Sequence, residues 1–334
     1  MSPIRRVASI GRIVTACSAL VVAMGLLTGR PQGSSSAAFA IAGGVTEAFA
    51  ASASHLRDAV HPADETRRAV ALLDSLRGRS GKLRARLVVP ASRRATLIAH
   101  LFGDSIVARA GVHDVTDSTG TRQFALITLR DFSDKMDGRI GAYRIGYWPS
   151  ERDATLAGRY GNPDGFIEVT PANADTPVSQ HFQLRDFLTH DQPQVWPKYL
   201  VLHEDLVDKL ELVIAELEIA GHPVRRMRVM SGFRTPQYNA RGGEGGGRSS
   251  LSRHMYGDAA DVYVDNDGNG RMDDLTRDGR VDHRDARVIL DAVDRVERLH
   301  PDIAGGVGVY RATRSHGPFA HVDVRGYRAR WGRL

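Results

Sequence analysis

The stretch "SRHMYGDAAD", Ser252–Asp261, places a histidine and an aspartate seven residues apart, with a glycine and small residues between them. Two interpretations of this stretch are open. His254 and Asp261 are half of a metal site, or the stretch is a capped turn that ends in a surface aspartate. A chain with 13 histidines and 39 acidic residues contains such a pair by chance, so the rest of the sequence has to decide.

Length and composition predict a globular protein of about two domains, at roughly 150 residues per domain. The chain has 334 residues, of which 42% are hydrophobic and 25% are charged. Its 45 basic and 39 acidic residues give a net charge of +6. The basic residues form no patch interleaved with aromatic side chains, which argues against a nucleic-acid partner. The composition is typical of a mildly basic exported protein.

Residues 1–40 have the pattern of an export signal. Arg5, Arg6 and Arg12 precede an apolar run over residues 13–28, and an Ala-x-Ala end follows at 38–40. We expect export to the periplasm, the cell envelope or the extracellular space. Two alternatives stay open, an uncleaved anchor and a lipidated Cys17. The protein would contact a membrane only through this segment if it is not removed.

Cys17 is the one cysteine of the chain, and it lies in the apolar segment. The mature protein is therefore expected to form no disulfide and no cysteine-ligated zinc site. Any metal ion has to be held by histidine, aspartate or glutamate side chains.

Periodicity and punctuation divide the remaining chain into four segments. Residues 41–81 are an Ala-rich helical linker, and 82–135 are a small β-rich module whose strands are "KLRARLVVP", "ATLIAHLFG", "SIVARAGV" and "RQFALITLRDF". Residues 136–172 are an extended connector. Residues 173–334 form an α+β domain, with helices over 204–220 and "RDARVILDAVDRVERLH" and strands in "VRRMRVMSGFR", "AADVYVD", "GGVGVY" and "FAHVDVRG".

Two further motifs add possible ligands. In "FAHVDVR", His321 and Asp323 are two residues apart, so a strand directs both side chains to one face. In "SGFRTPQYN", Arg234 follows a predicted strand, where it can bind a carboxylate in bidentate fashion. Two histidines and one carboxylate leave a coordination position free, which is typical of catalytic zinc. Taken alone, His321 is better explained as a hydrogen-bonded core histidine than as a metal ligand.

The combination "SGFRTPQYN…SRHMYGDAADVY…GGVGVY…FAHVDVR…W" resembles the M15 peptidases, the zinc D-Ala-D-Ala carboxypeptidase family. The resemblance covers residues of about 170–334. It implies the fold that LAS peptidases share with Hedgehog, a small antiparallel sheet with flanking helices. It also implies that His254, Asp261 and His321 bind Zn²⁺, that Arg234 holds the substrate or stabilises the oxyanion, and that Ser252 contacts the substrate.

The sequence departs from the family at the general base. Many M15 enzymes have a Glu three residues, or a His two residues, before the last histidine, where this chain has Pro318 and Phe319. Asp323 is our first candidate for the base and His316 is the second. Asp323 has an equally good alternative role, as the partner that orients a ligand histidine.

An acidic insertion over residues 265–285 resembles two overlapping calcium-binding loops. The first contains Asp265, Asp267 and Asn269, and the second contains Asp274, Thr276, Asp278, Asp282 and Asp285. Calcium needs six to eight oxygen ligands and a sharp glycine turn. One structural Ca²⁺ site is expected, and a solvated surface turn is the alternative.

Together these features predict an exported zinc peptidase. It would cleave peptidoglycan stem peptides next to a D-amino acid, as a D,D-carboxypeptidase or an endopeptidase, with a zinc-activated water. The missing base motivates an alternative, a non-catalytic module that binds the cell wall. A calcium-dependent adhesion protein is a third, weaker interpretation.

Overall fold

The computed structural model of the chain describes residues 76–116, 122–242 and 248–332. The predicted signal at 1–40 and most of the linker at 41–81 lie outside the described residues. The chain divides into two units. The first contains Arg84–Thr128 together with Leu76 and Arg77, and the second contains Gly78–Leu83 and the chain from Leu129 onward. Within the described residues, no helix is long and apolar enough to cross a membrane.

The first unit is a three-stranded sheet with two helices. It contains strand β1 (Ala85–Val88), helices α1 (Arg93–Phe102) and α2 (Ser105–Ala108), and strands β2 (Gly111–Thr116) and β3 (Arg122–Thr128). The order is β1-β3-β2, with β1 parallel and β2 antiparallel to β3. The unit ends at Thr128, whereas the predicted module extended to residue 135.

Two of the strands predicted for this unit are helices. "ATLIAHLFG" lies in α1, and the first half of "SIVARAGV" forms α2, so the prediction of strands there is wrong. Ala95 and Ile98 are buried whereas Leu97 is 40% exposed, which is a helical spacing rather than an alternation. The Ser92 hydroxyl caps α1 by accepting from the Ala95 amide at 3.1 Å.

The segment predicted as an extended connector is part of the second unit. It contains the hairpin β5 (Arg139–Ile140) and β6 (Tyr143–Arg144), helices α3 (Pro149–Arg152) and α4 (Ala157–Tyr160), and β7 (Gly165–Val169). Strands β4 (Arg130–Asp131) and β8 (Lys198–Leu200) flank β7 in an antiparallel sheet. The connector prediction is wrong because its aromatic residues are core residues: Tyr143, Trp148 and Phe166 are each at most 1% exposed.

The main sheet of the second unit has five strands. They are β9 (Met227–Ser231), β10 (Ala259–Val264), β11 (Gly306–Tyr310), β12 (Phe319–Asp323) and β13 (Ala329–Trp331), in the order β13-β11-β12-β10-β9. All neighbours are antiparallel except β11 and β13. The four strands predicted for this region are confirmed.

Helices α5 (Glu204–Ile219) and α7 (His283–Leu299) pack against one another, and α7 also contacts β11 and β12. Both helices were predicted, and the α+β class is confirmed. A third helix, α6 (Pro236–Ala240), follows the loop after β9. The apolar stripes of α5 and α7 are buried together with Ala320 and Val322. His321 lies between these two residues on β12 and therefore faces the opposite side of the sheet.

A buried lysine ties α5 to the sheet and to α7. The Lys209 side chain is fully buried, and its Nζ donates to Glu297 Oε1 at 2.7 Å, to the Ile303 carbonyl at 3.0 Å and to the Asp323 carbonyl at 2.8 Å. All three of its protons are therefore used. Removing one partner of a buried ion pair leaves the other charge uncompensated.

We expect Lys209→Met to lower the free energy of unfolding of the protein by about 3 kcal/mol, because Glu297 and two carbonyls lose a donor in the core. Arg328→Ala is the control, since Arg328 pairs with Asp294 at 2.8 Å but is 57% exposed. That exposed pair should contribute at most about 1 kcal/mol. Urea unfolding followed by circular dichroism measures both, and equal effects of the two substitutions would contradict the role of Lys209.

Candidate metal centre

One row of directly paired residues crosses the main sheet and forms the floor of the site. Ser231 on β9 pairs with Asp261 on β10, which pairs with His321 on β12. His321 pairs with Gly308 on β11, and Gly308 pairs with Trp331 on β13. Directly opposed residues put their side chains on the same face of a sheet, so the register alone brings Asp261 and His321 together.

Gly308 is required in this row by the indole of Trp331. A Cβ atom at position 308 would lie 2.1 Å from Trp331 Nε1. The indole lies across the glycine, with its ring centroid 5.2 Å from that of His321, and its Nε1 donates to the Tyr310 hydroxyl at 2.9 Å. The Trp331 ring therefore forms one wall beside His321.

The third ligand candidate, His254, comes from a short 3-10 helix, Arg253–Tyr256. That helix ends at Gly257, which has φ +69° and where a Cβ atom would lie 2.2 Å from the Val201 carbonyl oxygen. His254 Nδ1 donates to the Gly232 carbonyl at 2.7 Å. The proton on Nδ1 leaves the lone pair of Nε2 free to bind a metal ion.

Three donor atoms converge at one point. His254 Nε2 lies 3.2 Å from His321 Nδ1 and 3.3 Å from Asp261 Oδ1, and His321 Nδ1 lies 2.9 Å from Asp261 Oδ1. Ligands at about 2.0–2.2 Å from a tetrahedral zinc ion would be separated by about 3.3 Å. These three side chains therefore fit a divalent metal ion of the size of zinc, with room for a further ligand from the cleft.

Asp323 lies behind His321, on the side away from the other donors. Its Oδ2 accepts from His321 Nε2 at 3.1 Å, which orients the ring so that Nδ1 faces Asp261 and the other donor atoms. The Gly306 amide donates to Asp323 Oδ1 at 2.6 Å, and Arg325 forms a bidentate pair with the same carboxylate. This geometry fits the orienting partner and does not suit the general base, the two roles predicted for Asp323.

Arg234 pairs with the carboxylate of Asp261, one of the three candidate metal ligands. Its Nη2 donates to Asp261 Oδ2 at 2.5 Å, and its Nε donates to the Ser231 hydroxyl at 2.8 Å. Its backbone amide donates to the His254 carbonyl at 3.1 Å. Arg234 therefore positions Asp261 so that Oδ1 faces the two histidines, a contact that the predicted roles in substrate binding and oxyanion stabilisation did not include.

The pKa values of these groups follow from their burial and their mutual contacts. Burial lowers the pKa of His254, so this imidazole stays neutral. Burial alone would lower the pKa of His321, but hydrogen bonds to Asp261 and Asp323 raise it to about 9. Burial would raise the pKa values of both carboxyls, yet their histidine and arginine partners hold them well below the usual value. A metal ion that binds His321 Nδ1 would replace the proton that this nitrogen otherwise donates to Asp261.

The donor atoms lie on the floor of an open cleft of about 1160 Å³. Ser252, predicted to contact the substrate, and His316, a predicted candidate for the base, both line this cleft. Five arginines also line it, Arg159, Arg234, Arg248, Arg253 and Arg325. Three of them are paired with buried aspartates. In the described part of the chain, no ion pair involves the other two, Arg159 and Arg248.

His316 approaches the site through an aromatic stack. Its ring meets Phe319 edge-on with the centroids 5.0 Å apart, and Phe319 stacks on Tyr310 at 4.5 Å. Phe319 is two residues before His321 and lies on the same face of β12. His316 Nδ1 lies 2.8 Å from the Gly317 carbonyl and donates to it, which leaves Nε2 as the basic nitrogen of that ring.

The acidic insertion contains one carboxylate cluster, formed by Asp265, Asp267 and Asp273. Asp265 and Asp267 are among the predicted calcium ligands, whereas Asp273 is not; it is the ninth residue of the first loop, eight residues after Asp265. Asn269 uses its amide to donate to Asp267 Oδ2 at 2.8 Å. In the second loop the side chains bind the loop itself: Asp274, Thr276, Asp278, Asp282 and Asp285 all form hydrogen bonds or ion pairs there.

The positions of Trp331 and Arg248 in the cleft could not be predicted from the sequence. Trp331 closes the quoted motif as its last letter, but only the pairing of β13 with β11 brings it beside His321. Arg248 follows a glycine-rich stretch, where an arginine is usually a solvated surface residue. Its guanidinium lies 4.4 Å from the Tyr238 ring centroid and donates to the Tyr238 carbonyl, which directs it into the cleft.

These observations define an α+β protein in which two histidines and one aspartate form a candidate metal site in an open cleft. The family model described as Peptidase M15 matches residues 190–286, which contain His254, Asp261, Arg234 and Ser252. The resemblance to M15 peptidases is therefore confirmed for this part of the chain, and the chain carries a peptidase-family segment. The match spans 97 of the 334 residues and ends before His316, His321 and Asp323. No curated protein and no solved structure matches the chain.

We expect Asp323→Asn to weaken zinc binding by about 10- to 100-fold, because His321 loses the carboxylate that fixes its tautomer and raises its basicity. Asp294→Asn is the matched control, since Asp294 pairs with Arg328 and Arg330 away from the cleft. Competition with a chromophoric chelator measures the zinc affinity, and circular dichroism checks the fold. An affinity for zinc that does not change in a folded Asp323→Asn protein would contradict this role.

Proposed function

We propose that this protein is an exported zinc-dependent peptidase with an LAS-type fold, which cleaves peptidoglycan stem peptides next to a D-amino acid. It would act as a D,D-carboxypeptidase or an endopeptidase. The observation that carries the proposal is the convergence of three oriented donor atoms on the floor of an open cleft. The M15 match supports the peptidase activity. The use of zinc, the peptidoglycan substrate and the export of the protein go beyond what this match supports and are part of the proposal.

Some residues of the site would bind the metal ion, and others hold those ligands in position. His254, Asp261 and His321 would hold zinc, which supplies a Lewis acid for the scissile carbonyl and lowers the pKa of a water. Arg234 fixes Asp261 through Oδ2, and Asp323 fixes His321 through Nε2. Each ligand is therefore held in position before the substrate arrives, which reduces the reorganisation that the reaction requires.

The charge of the cleft favours a substrate with free carboxylates. Arg248 lies against the Tyr238 ring and is available to bind a terminal carboxylate, and Arg159 adds a second positive charge. A guanidinium binds a carboxylate in bidentate geometry. Peptidoglycan stems carry such groups, and the net charge of +6 would attract the protein to an anionic wall.

Proton transfer is assigned to His316, since Asp323 is held by three partners behind the site. His316 lines the cleft and retains a basic Nε2. It would accept a proton from the attacking water and return it to the leaving amine. The alternative of a non-catalytic wall-binding module rests on Pro318 and Phe319, which replace the usual base positions.

The peptidase proposal predicts that zinc-loaded protein releases D-alanine or shortened stem peptides from purified sacculi, identified by mass spectrometry. His254→Ala should abolish the release, because the metal ion loses one of three ligands. His222→Ala is the control, since His222 lies outside the cleft. If folded, zinc-loaded protein binds sacculi but releases nothing, the peptidase proposal fails and the binding module replaces it.

We expect His316→Ala to reduce kcat/KM by about 10²- to 10⁴-fold, the usual contribution of a general base, without loss of bound zinc. Arg314→Ala serves as the loop control, because Arg314 is exposed on the same loop and does not line the cleft. Zinc content and steady-state hydrolysis of a muropeptide are measured for each variant. Full activity of His316→Ala would show that another group accepts the proton.

A further inference from the structure

We propose that the loop after β10 binds one calcium ion through Asp265, Asp267 and Asp273, at a site separate from the zinc ligands. Nothing in the peptidase proposal requires this site. The three carboxylates place ligand oxygens within 4.8 Å of one another. All three belong to the first half of the acidic insertion. The second half also resembles a calcium-binding loop, but it supplies none of the three carboxylates.

The buried carboxylate of Asp265 points to a bound cation. Asp265 is 0% exposed, and its Oδ2 accepts from the Gly270 amide at 3.2 Å and lies 3.7 Å from Arg228 Nε. Its Oδ1 is also buried and has no hydrogen-bond partner in the described part of the chain. A buried carboxylate oxygen without a partner is costly, and a cation on Oδ1 removes this cost while Oδ2 fixes the turn at Gly270.

The charges around Asp265 strengthen this argument. Asp267 and Asp273 bring two further carboxylates within ligand distance, and no ion pair reaches either of them within the described residues. Three negative charges so close together repel one another, most strongly where one of them is buried. A divalent cation between them converts the repulsion into attraction.

The donor chemistry favours calcium over a transition metal. The three side chains that converge supply only carboxylate oxygens, with no nitrogen or sulfur ligand, and hard cations prefer such a set. Asp267 is exposed and Asp273 is half-buried, so water and backbone carbonyls can complete an irregular shell. Calcium accepts six to eight oxygens in flexible geometry, whereas magnesium demands a near-ideal octahedron.

The second loop differs because none of its buried carboxylate oxygens lacks a hydrogen-bond partner, whereas Asp265 Oδ1 in the first loop does. Asp274 accepts from the amides of Asp278 at 3.2 Å and Gly279 at 2.7 Å. Asp285 accepts from the amides of Thr276 at 3.0 Å and Asp282 at 2.8 Å. These contacts describe a self-contained turn that caps α7. It therefore serves as an internal control for the first loop.

Calcium would stabilise the end of the strand that carries Asp261. The Asp265 amide donates to the Arg226 carbonyl at 3.0 Å, and the Asp273 amide donates to the Val264 carbonyl at 2.9 Å. The loop thus ties together the adjoining ends of β9 and β10. A cation held by Asp265 and Asp273 fixes both sides of that connection, so calcium should raise the thermal midpoint of unfolding.

Tyr263 provides a spectroscopic probe of this loop. Its hydroxyl donates to the Gly270 carbonyl at 3.1 Å, so the phenol ring lies against the turn. Terbium, which replaces calcium in oxygen sites, should show luminescence sensitised by this tyrosine. Tyr263→Phe should reduce the sensitised emission while calcium affinity, measured by calorimetry, is unchanged.

The deciding experiment titrates chelator-treated full-length protein with Ca²⁺ by calorimetry and with Tb³⁺ by luminescence. We expect one ion per chain and a loss of affinity of roughly 100-fold in Asp265→Asn, because the site loses a charged ligand. Asp267→Asn should lose affinity similarly, and since Asp267 is exposed its substitution should leave the fold intact. His254→Ala should bind calcium normally.

The matched control is Asp282→Asn, which alters a motif position of the second loop and should leave calcium affinity unchanged. The proposal is overturned if the protein binds no calcium at millimolar concentration, if it binds magnesium but not calcium, or if binding survives Asp267→Asn. Loss of binding in Asp282→Asn but not in Asp267→Asn would place the ion in the second loop and overturn the proposal as well.

Discussion

The site depends above all on the register between β10 and β12. Asp261 opposes His321, and a shift of one residue in either strand would turn one of them to the helix-covered face. The alternation on β12 fixes this register, because Ala320 and Val322 must be buried against that face. The hydrophobic core therefore sets the position of two candidate metal ligands. His254 comes from a separate 3-10 helix. Its backbone carbonyl accepts from the amide of Arg234, the residue whose guanidinium orients Asp261.

The buried polar groups behind the sheet extend the same constraint. Asp323 contacts His321 through its carboxylate, and its backbone carbonyl accepts from Lys209 on α5. Lys209 also binds Glu297 on α7. His321 is thus linked to both long helices through the side chains of Asp323 and Lys209, so the charged groups that stabilise the core also hold the candidate metal site rigid.

Much of this arrangement could be predicted from periodicity and motif spacing. Both long helices and the strands around the motifs were identified, since their apolar residues recur at regular intervals, and the two-residue spacing of His321 and Asp323 correctly put them on one face. The helix at 93–102 was missed because its short run of mixed apolar residues fits either period. The segment at 136–172 was taken for a connector because its aromatic residues are separated by glycines and prolines, and their burial depends on tertiary contacts.

The residues of the site could be predicted from the sequence more easily than their roles. A role depends on which atoms of two side chains contact one another, and the sequence does not show this. Sequence spacing brings Asp323 near His321, but only the structure shows that it contacts Nε2 while Nδ1 faces the ligands. Arg234 was expected to face the substrate, yet its guanidinium holds Asp261. In the proposed peptidase, with both groups committed to positioning, Arg248 and Arg159 would supply the charge for a substrate carboxylate, and His316 would serve as the base. The residues that contact the three candidate ligands thus make the site rigid, and in the proposed peptidase the residues at the rim of the cleft would contact the substrate.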